Sequence, residues 1–168
     1  YYIAKGLSFT EIMLLQSIAA VAVVLFEVPT GAVADKIGRR HSIVLGALLW
    51  GLSLSIYIIG KNFYTFAVAE FVFSLGGSFK SGADTALIYD SLKELQRENE
   101  FQKIEGSARS LIFYTQGIGS IIAGFIYDVN IHLPMIVSIG FMIITAIIAM
   151  NFKEPHIEGK EGRFGASY

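Results

Sequence analysis

Five apolar runs, each long enough to cross a lipid bilayer as a helix, constrain this chain more than any other feature. A hydrocarbon core takes about 20 apolar residues, each adding roughly 1.5 Å of helix rise. Residues 9–34, 42–60, 63–89, 106–127 and 133–152 meet that requirement. A soluble domain has no interior in which to hide so many uncharged stretches. Hydrophobic residues make up 54% of the chain and charged residues 16%, which leaves too little polar surface for one. The expected fold is an all-α membrane protein with the lipid bilayer as its solvent.

Local signals punctuate the runs. Ser8 and Glu11 have the spacing of a capping box, with Leu7 and Ile12 placed as a hydrophobic staple across it. Gly60 suits the end of the second span, and Asn62 suits the cap of the third. Pro134 fits a first helical turn, where its missing N–H has no partner to lose, and Pro155 follows the last span as a stop. The opening "YYIAKGLS" is expected to be the end of an earlier helix, and 153–168 a truncated cytoplasmic linker.

Basic residues fix the expected orientation. One side carries Lys36, Arg39, Arg40, Lys93, Arg97, Lys103, Arg109, Lys153, Lys160 and Arg163, whereas the other carries only Lys5 and Lys61. By the positive-inside rule the loop at 35–41 is expected to lie in the cytoplasm, and the expected location is a plasma membrane crossed several times. A formal net charge of −1 gives no pull toward nucleic acid, and no such partner is expected. There is no cysteine, which excludes disulfide and thiolate chemistry. His41, His132 and His156 are scattered over both sides of the membrane, no metal site is expected, and no serine sits in a nucleophile elbow, so enzyme chemistry finds no support.

The segment "GAVADKIGRRH" concentrates charge between the first two complete spans. With a span ending near Ala34 and the next beginning near Ser42, Asp35 stands at a helix C-terminus and Arg39 and Arg40 just before a helix N-terminus. Both placements oppose the local dipoles, at about 0.3 to 1 kcal/mol each, so partners outside the hairpin are expected. Gly31 allows a close helix approach and Gly38 a tight reversal. The spacing of Gly31, Asp35, Lys36, Gly38, Arg39 and Arg40 resembles the G-x-x-x-D-[RK]-x-G-R-[RK] signature of the major facilitator superfamily, which lies between that family's second and third spans.

The resemblance implies a specific architecture. The chain would be the N-terminal half of a twelve-helix transporter: a six-helix half-bundle with most of its first helix missing, whose partner is the C-terminal half. In such proteins the acid of the signature faces a helix of the other half. The first arginine pairs with an acid at the cytoplasmic end of span four, here Asp90 in "ALIYDSL". An Arg39–Asp90 latch that holds while the cytoplasmic gate is closed, and breaks when it opens, is therefore expected.

Ionisable residues inside a span are costly and face a wet cavity or another helix. At 100° per residue, Glu70, Ser74, Gly77, Ser81 and Asp84 form one stripe, with Lys80 four residues before Asp84. The family's fourth span lines the substrate path, which makes Glu70 the first candidate for a coupling proton site or cation contact. Alternatively Glu70 makes a fixed interhelical hydrogen bond and Lys80 with Asp84 is a structural pair. Glu27, one turn before Gly31, supports the signature or takes part in coupling. Pro29 is placed to kink that span.

In the fourth run, the fifth span in the family's numbering, "GIGSIIAG" places Gly117, Ser120 and Gly124 on one face, suited to close helix packing. It also resembles the G-P-x-x-G-G motif of family antiporters. Gly119 and Gly124 are retained, Ser120 stands for the proline and Ala123 for a glycine. Gln116 is polar enough to contact substrate, and Arg109 is expected to snorkel toward the cytoplasmic interface.

The functional expectation is a secondary active transporter of a small-molecule substrate, working by alternating access without a cofactor. Proton-gradient-driven efflux of drug-like compounds is the leading subtype, because "EVPTG" with the loop signature resembles exporter-like members. Nutrient uptake by a permease of the same superfamily, and a non-transporting sensor or binding protein, are the alternatives.

Overall fold

The computed structural model describes residues 1–155. Expectations on His156, Lys160, Arg163 and the rest of the linker lie outside the described residues. Five helices follow a short 3-10 turn, Ile3–Lys5: α1 (Phe9–Ile37), α2 (Arg39–Ile59), α3 (Phe63–Glu94), α4 (Phe101–Val129) and α5 (Leu133–Met150). No strand occurs among the described residues. The surface is that of a protein built for lipid: Phe113 and Phe125 of α4 are 73% and 72% exposed, and α4 buries none of its residues.

The expected caps form. Ser8 Oγ accepts the Glu11 amide hydrogen at 3.3 Å while the Glu11 carboxylate accepts the Ser8 N–H at 2.8 Å, closing the capping box. Leu7 is buried with Ile12 packed against its cluster. Asn62 caps α3 through the Thr65 amide at 3.0 Å, and Pro134 lies in the first turn of α5. Gly60 ends α2, but with an ordinary φ of −63°. Its lack of a side chain serves packing, since a Cβ there would come within 2.8 Å of the Phe66 ring.

Helix ends depart from the reading of the sequence. α1 runs through Asp35 to Ile37 and α2 starts at Arg39, so Gly38 alone separates them, with φ +94°. Asp35 thus lies in the last turn of α1, and Arg39 and Arg40 are the opening residues of α2 rather than loop residues. Pro29 sits inside α1 without ending it, and the neighbouring Thr30 hydroxyl donates to the Phe26 carbonyl at 2.7 Å. Four helices (α1, α2, α4 with the turn before it, and α5) are long and apolar enough to cross a membrane on their own. α3, which carries Glu70, Lys80, Asp84 and Asp90, is not among these four by length and composition alone. It is the central helix, packed between α1 and α2.

The tightest crossing is between α2 and α3. Gly46 and Gly76 face each other so closely that a Cβ on Gly46 would lie 2.7 Å from the Gly76 carbonyl oxygen, and one on Gly76 would lie 2.9 Å from that of Gly46. Side chains pin the same seam: Ser53 Oγ donates to Ala69 O at 2.8 Å and Trp50 Nε1 to Phe73 O at 2.9 Å. Ser74 Oγ donates across to Ala19 O of α1 at 3.2 Å.

Two glycine faces receive no helix from the described residues. Gly31 meets nothing within 4 Å among them and lines a cavity. Gly117, Gly119 and Gly124 likewise meet nothing within 4 Å, so no helix among the described residues seats on that face of α4. Ser120 spends its hydroxyl on the Gln116 carbonyl of its own helix at 2.8 Å.

Candidate functional site

The charged signature gathers at one end of the bundle, where α1, α2 and α3 meet. Because a single glycine joins α1 to α2, Asp35 and Arg39 fall four residues apart and pair at 2.8 Å. Asp90, near the far end of α3, lies 3.9 Å from Arg39 Nε. That nitrogen is buried and has no hydrogen-bond partner among the described residues. The guanidinium is therefore bonded to one acid and merely attracted to a second, an arrangement with two ways to settle. The nearest partner of Arg39 lies within its own hairpin, contrary to the expectation from the dipoles, while Asp90 is the partner outside it. Lys36 is exposed.

The dipole problem at the start of α2 has a solution that the sequence reading missed. The Glu154 carboxylate accepts from the Arg39 amide at 2.5 Å and the Arg40 amide at 3.0 Å, capping α2 from the segment that follows α5. Its negative charge sits at the positive end of the helix dipole, where the two arginines are unfavourable. Lys153 Nζ reaches Glu94 of α3 at 3.5 Å, and the Arg40 guanidinium reaches Phe152 O at 3.4 Å. The signal was present: an acid directly before Pro155, leaving the membrane on the same side as Arg39 and Arg40. Replacing Glu154 by Ala is expected to cost about 0.5 to 2 kcal/mol, the usual range for a lost cap, and Gln, which keeps an acceptor oxygen, less. Thermal unfolding of the detergent-solubilised protein checks both values.

A cavity of about 470 Å³ opens beside the signature. Glu27, Gly31, Arg39, Tyr89 and Asp90 line it, with Ser78 and Ser81 from α3. Its walls are mostly small side chains, and its charged groups are two acids and one arginine. Glu27 is thereby placed with the signature, as its position one turn before Gly31 suggested.

The polar stripe of α3 divides in two. Glu70 and Ser74 are sealed: Glu70 is 6% exposed and accepts a hydrogen bond from the Tyr2 hydroxyl at 2.6 Å. Burial first, and then this bond, raise the Tyr2 phenol above its ordinary range. Glu70 sits among Tyr2, Tyr57 and Phe66, away from the cavity, so the structure gives it an inter-element hydrogen bond. Lower on the stripe, Gly77, Lys80, Ser81 and Asp84 line a cleft of about 290 Å³ with Trp50 and Arg109. Lys80 pairs with Asp84 at 3.4 Å and stands 5.5 Å over the Trp50 ring. Arg109, expected to snorkel, pairs with Glu105 at 2.6 Å. Gln116 is exposed on α4 and joins neither cavity. Trp50, Tyr2 and Tyr57 went unread because aromatic residues in apolar runs carry no spacing that marks a polar role.

Among the described residues no group of three or more metal-ligating side chains gathers. The family model of the Major Facilitator Superfamily matches residues 2–166, nearly the whole chain. The chain is 25% identical over 158 residues to "Uncharacterized MFS-type transporter YxaM" of Bacillus subtilis (strain 168), covering 94% of this chain and 39% of that protein. It is 24% identical over 129 residues to "Quinolone resistance protein NorA" of Staphylococcus aureus (strain N315), covering 77% of this chain and 32% of that protein. It thus spans 39% and 32% of the length of these two curated relatives. With a bundle of long lipid-facing helices, a charged hairpin hinged on Gly38 and a family match over almost its full length, the chain belongs to the Major Facilitator Superfamily of membrane transporters.

Proposed function

We propose that the chain forms the N-terminal half of a proton-coupled exporter of drug-like compounds, with the Arg39 end in the cytoplasm of a plasma-membrane protein. The observation that carries this reading is Arg39 held between Asp35 and Asp90 at the mouth of a cavity, one bond made and one unmade. Alternating access needs an element with two discrete arrangements of similar energy. An arginine that can tighten on either of two acids, from α1 or from α3, supplies one. The C-terminal half is the body against which this end opens and closes, and the small solute passes between the halves.

Export is favoured by the likeness to a relative named for quinolone resistance. Proton coupling is favoured by Glu70, a buried ionisable side chain within a span, of the kind that marks working sites in membrane proteins. No cofactor takes part, the proton gradient being the energy source. The test is flux of a fluorescent amphiphilic amine in proteoliposomes holding the whole transporter. An imposed pH gradient is expected to drive accumulation, and Glu70→Gln to abolish the gradient dependence with a loss of about tenfold or more, as for an intramembrane ionisable group with a working role. Flux that ignores the gradient refutes coupling. Solute binding without flux refutes transport in favour of a sensor.

A further inference from the structure

The cleft between α2, α3 and α4, about 290 Å³ in volume, holds four charges that the gate does not use: Lys80 and Asp84 of α3, and Glu105 and Arg109 of α4. Each helix pairs its own two, Lys80 with Asp84 at 3.4 Å and Arg109 with Glu105 at 2.6 Å. Their order along the bundle is regular. α3 runs toward the Arg39 end, where Asp90 lies, and α4 returns from it. In both helices the acid therefore stands nearer that end and the base one turn, about 6 Å, deeper. Lys80 is kept at its depth by Trp50, over whose ring the ammonium stands at 5.5 Å. A layer of two bases thus lies behind a layer of two acids.

These groups have hydrogen-bonding capacity to spare. An ammonium carries three donors, and Lys80 uses one of them on Asp84. The bonds from Arg109 Nε and Nη2 both fall on Glu105 Oε1, which leaves Nη1 and Oε2 without a partner among the described residues. Ser81 and Thr85 line the same cleft, and among the described residues their hydroxyls make no hydrogen bond. Ser78 and Ser110, on the same two helices, each donate to the carbonyl four residues back, at 3.0 and 2.9 Å. Deeper than the bases the wall turns apolar with Ile112, which is 55% exposed on a helix that buries none of its residues. The cleft is small for a drug-sized solute and opens beside a helix built to face lipid.

We infer that the cleft seats the headgroup of a zwitterionic phospholipid with a primary amine, of the phosphatidylethanolamine type, from the leaflet on the Arg39 side. In such a lipid the phosphate lies next to the acyl chains and the amine beyond it, toward water. Lys80 and Arg109 meet the phosphate, with Ser81 and Thr85 donating to its oxygens, and Asp84 and Glu105 meet the amine; the chains continue along Ile112 beside Trp50. A choline head carries the same charges but has no N–H to give the carboxylates, and a phosphoglycerol head brings them no cation. The seat selects a headgroup and not merely a charge. That this leaflet is the cytoplasmic one rests on the function proposed above; the binding does not.

The whole transporter, reconstituted in nanodiscs of equal parts phosphatidylethanolamine, phosphatidylcholine and phosphatidylglycerol with matched chains, is extracted in mild detergent, and the lipids it retains are counted by native mass spectrometry. Phosphatidylethanolamine is expected to be retained about tenfold over each of the others, the scale of a lost charge-assisted hydrogen bond. Asp84→Asn with Glu105→Gln preserves size and removes the two negative charges, and should turn the preference to phosphatidylglycerol. Lys80→Gln with Arg109→Gln should bring all three down to one low level. A purely structural role for the four side chains would not move headgroup preference. Equal retention of the three lipids by the unaltered protein overturns the inference, as does a preference that neither pair of substitutions changes: the charges then serve only one another, or another part of the transporter covers the cleft. Displacement by glycerophosphoethanolamine, the headgroup without its chains, as effectively as by the lipid itself would make this a solute site and also defeat it. Retention is read without flux, so gradient-independent transport beside selective retention refutes proton coupling and leaves the lipid seat standing.

Discussion

Gly46→Leu is expected to remove most folded protein. A Cβ at this position would come within 2.7 Å of the Gly76 carbonyl oxygen and 3.2 Å of the Lys80 backbone nitrogen, so the clash is with backbone of the facing helix. Relief requires α2 and α3 to separate. Separation in turn breaks the Ser53–Ala69 bond at 2.8 Å and the Trp50–Phe73 bond at 2.9 Å, which hold the same seam. Overpacking of a tight site typically costs about 1 to 3 kcal/mol, and this site belongs at the upper end because no flexible side chain can yield. Gly76→Leu should behave alike, since a Cβ there meets Trp50 Cδ1 at 2.8 Å and Gly46 O at 2.9 Å. Gly140→Ala is the control, for nothing lies within 4 Å of its Cβ position and alanine favours a helix. Thermal unfolding in detergent, read beside the monodisperse yield, measures all three. A Gly46→Leu protein as stable as the parent would show that the two helices do not cross there.

Reversing one charge of the Arg39–Asp90 pair is the second large effect. Both side chains are mostly buried, 18% and 15% exposed, so solvent screens them weakly. Leaving one partner of such a pair uncompensated costs about 3 to 5 kcal/mol, enough to shift a gate equilibrium by a hundredfold or more. Arg39→Glu faces two acids, Asp35 at 2.8 Å and Asp90 at 3.9 Å, and is expected to abolish transport. Asp90→Arg sets a second cation against Arg39 but leaves the Asp35 bond in place, so its loss should be smaller. The double exchange should recover part of the flux and not all of it, because Asp35 then opposes the new glutamate. Solute flux in proteoliposomes, at matched amounts of protein, orders the variants. Equal loss in all three would remove the pair from the gate.

The sequence displayed the helices more plainly than what joins them. Apolar runs and caps gave the elements because those signals are local: Ser8 with Glu11, Asn62 before Phe63, Pro134 in a first turn. The signature gave the charged hairpin and, through the family resemblance, the encounter of Arg39 with Asp90. Contacts between distant segments left weaker marks. Glu154 lies more than a hundred residues from the amides it caps, and its charge alone did not say which helix it would serve. Gly46 and Gly76 are ordinary glycines in apolar runs until the crossing places them face to face. The glycines of α4 attracted notice through their spacing, yet spacing shows only that a surface is small and not what covers it. Glu70 stood out because an acid in a span is rare; its tyrosine partner, in the short stretch before α1, did not.

The fastening of Glu154 to the first amides of α2 makes the exit from α5 a mooring point. Met150 and Arg39 stand at the ends of helices joined only by a few residues and two short bonds, so there is little slack between them. A load borne by Glu154 falls on the one-residue joint at Gly38 directly, because its carboxylate grips the first two amides beyond that joint.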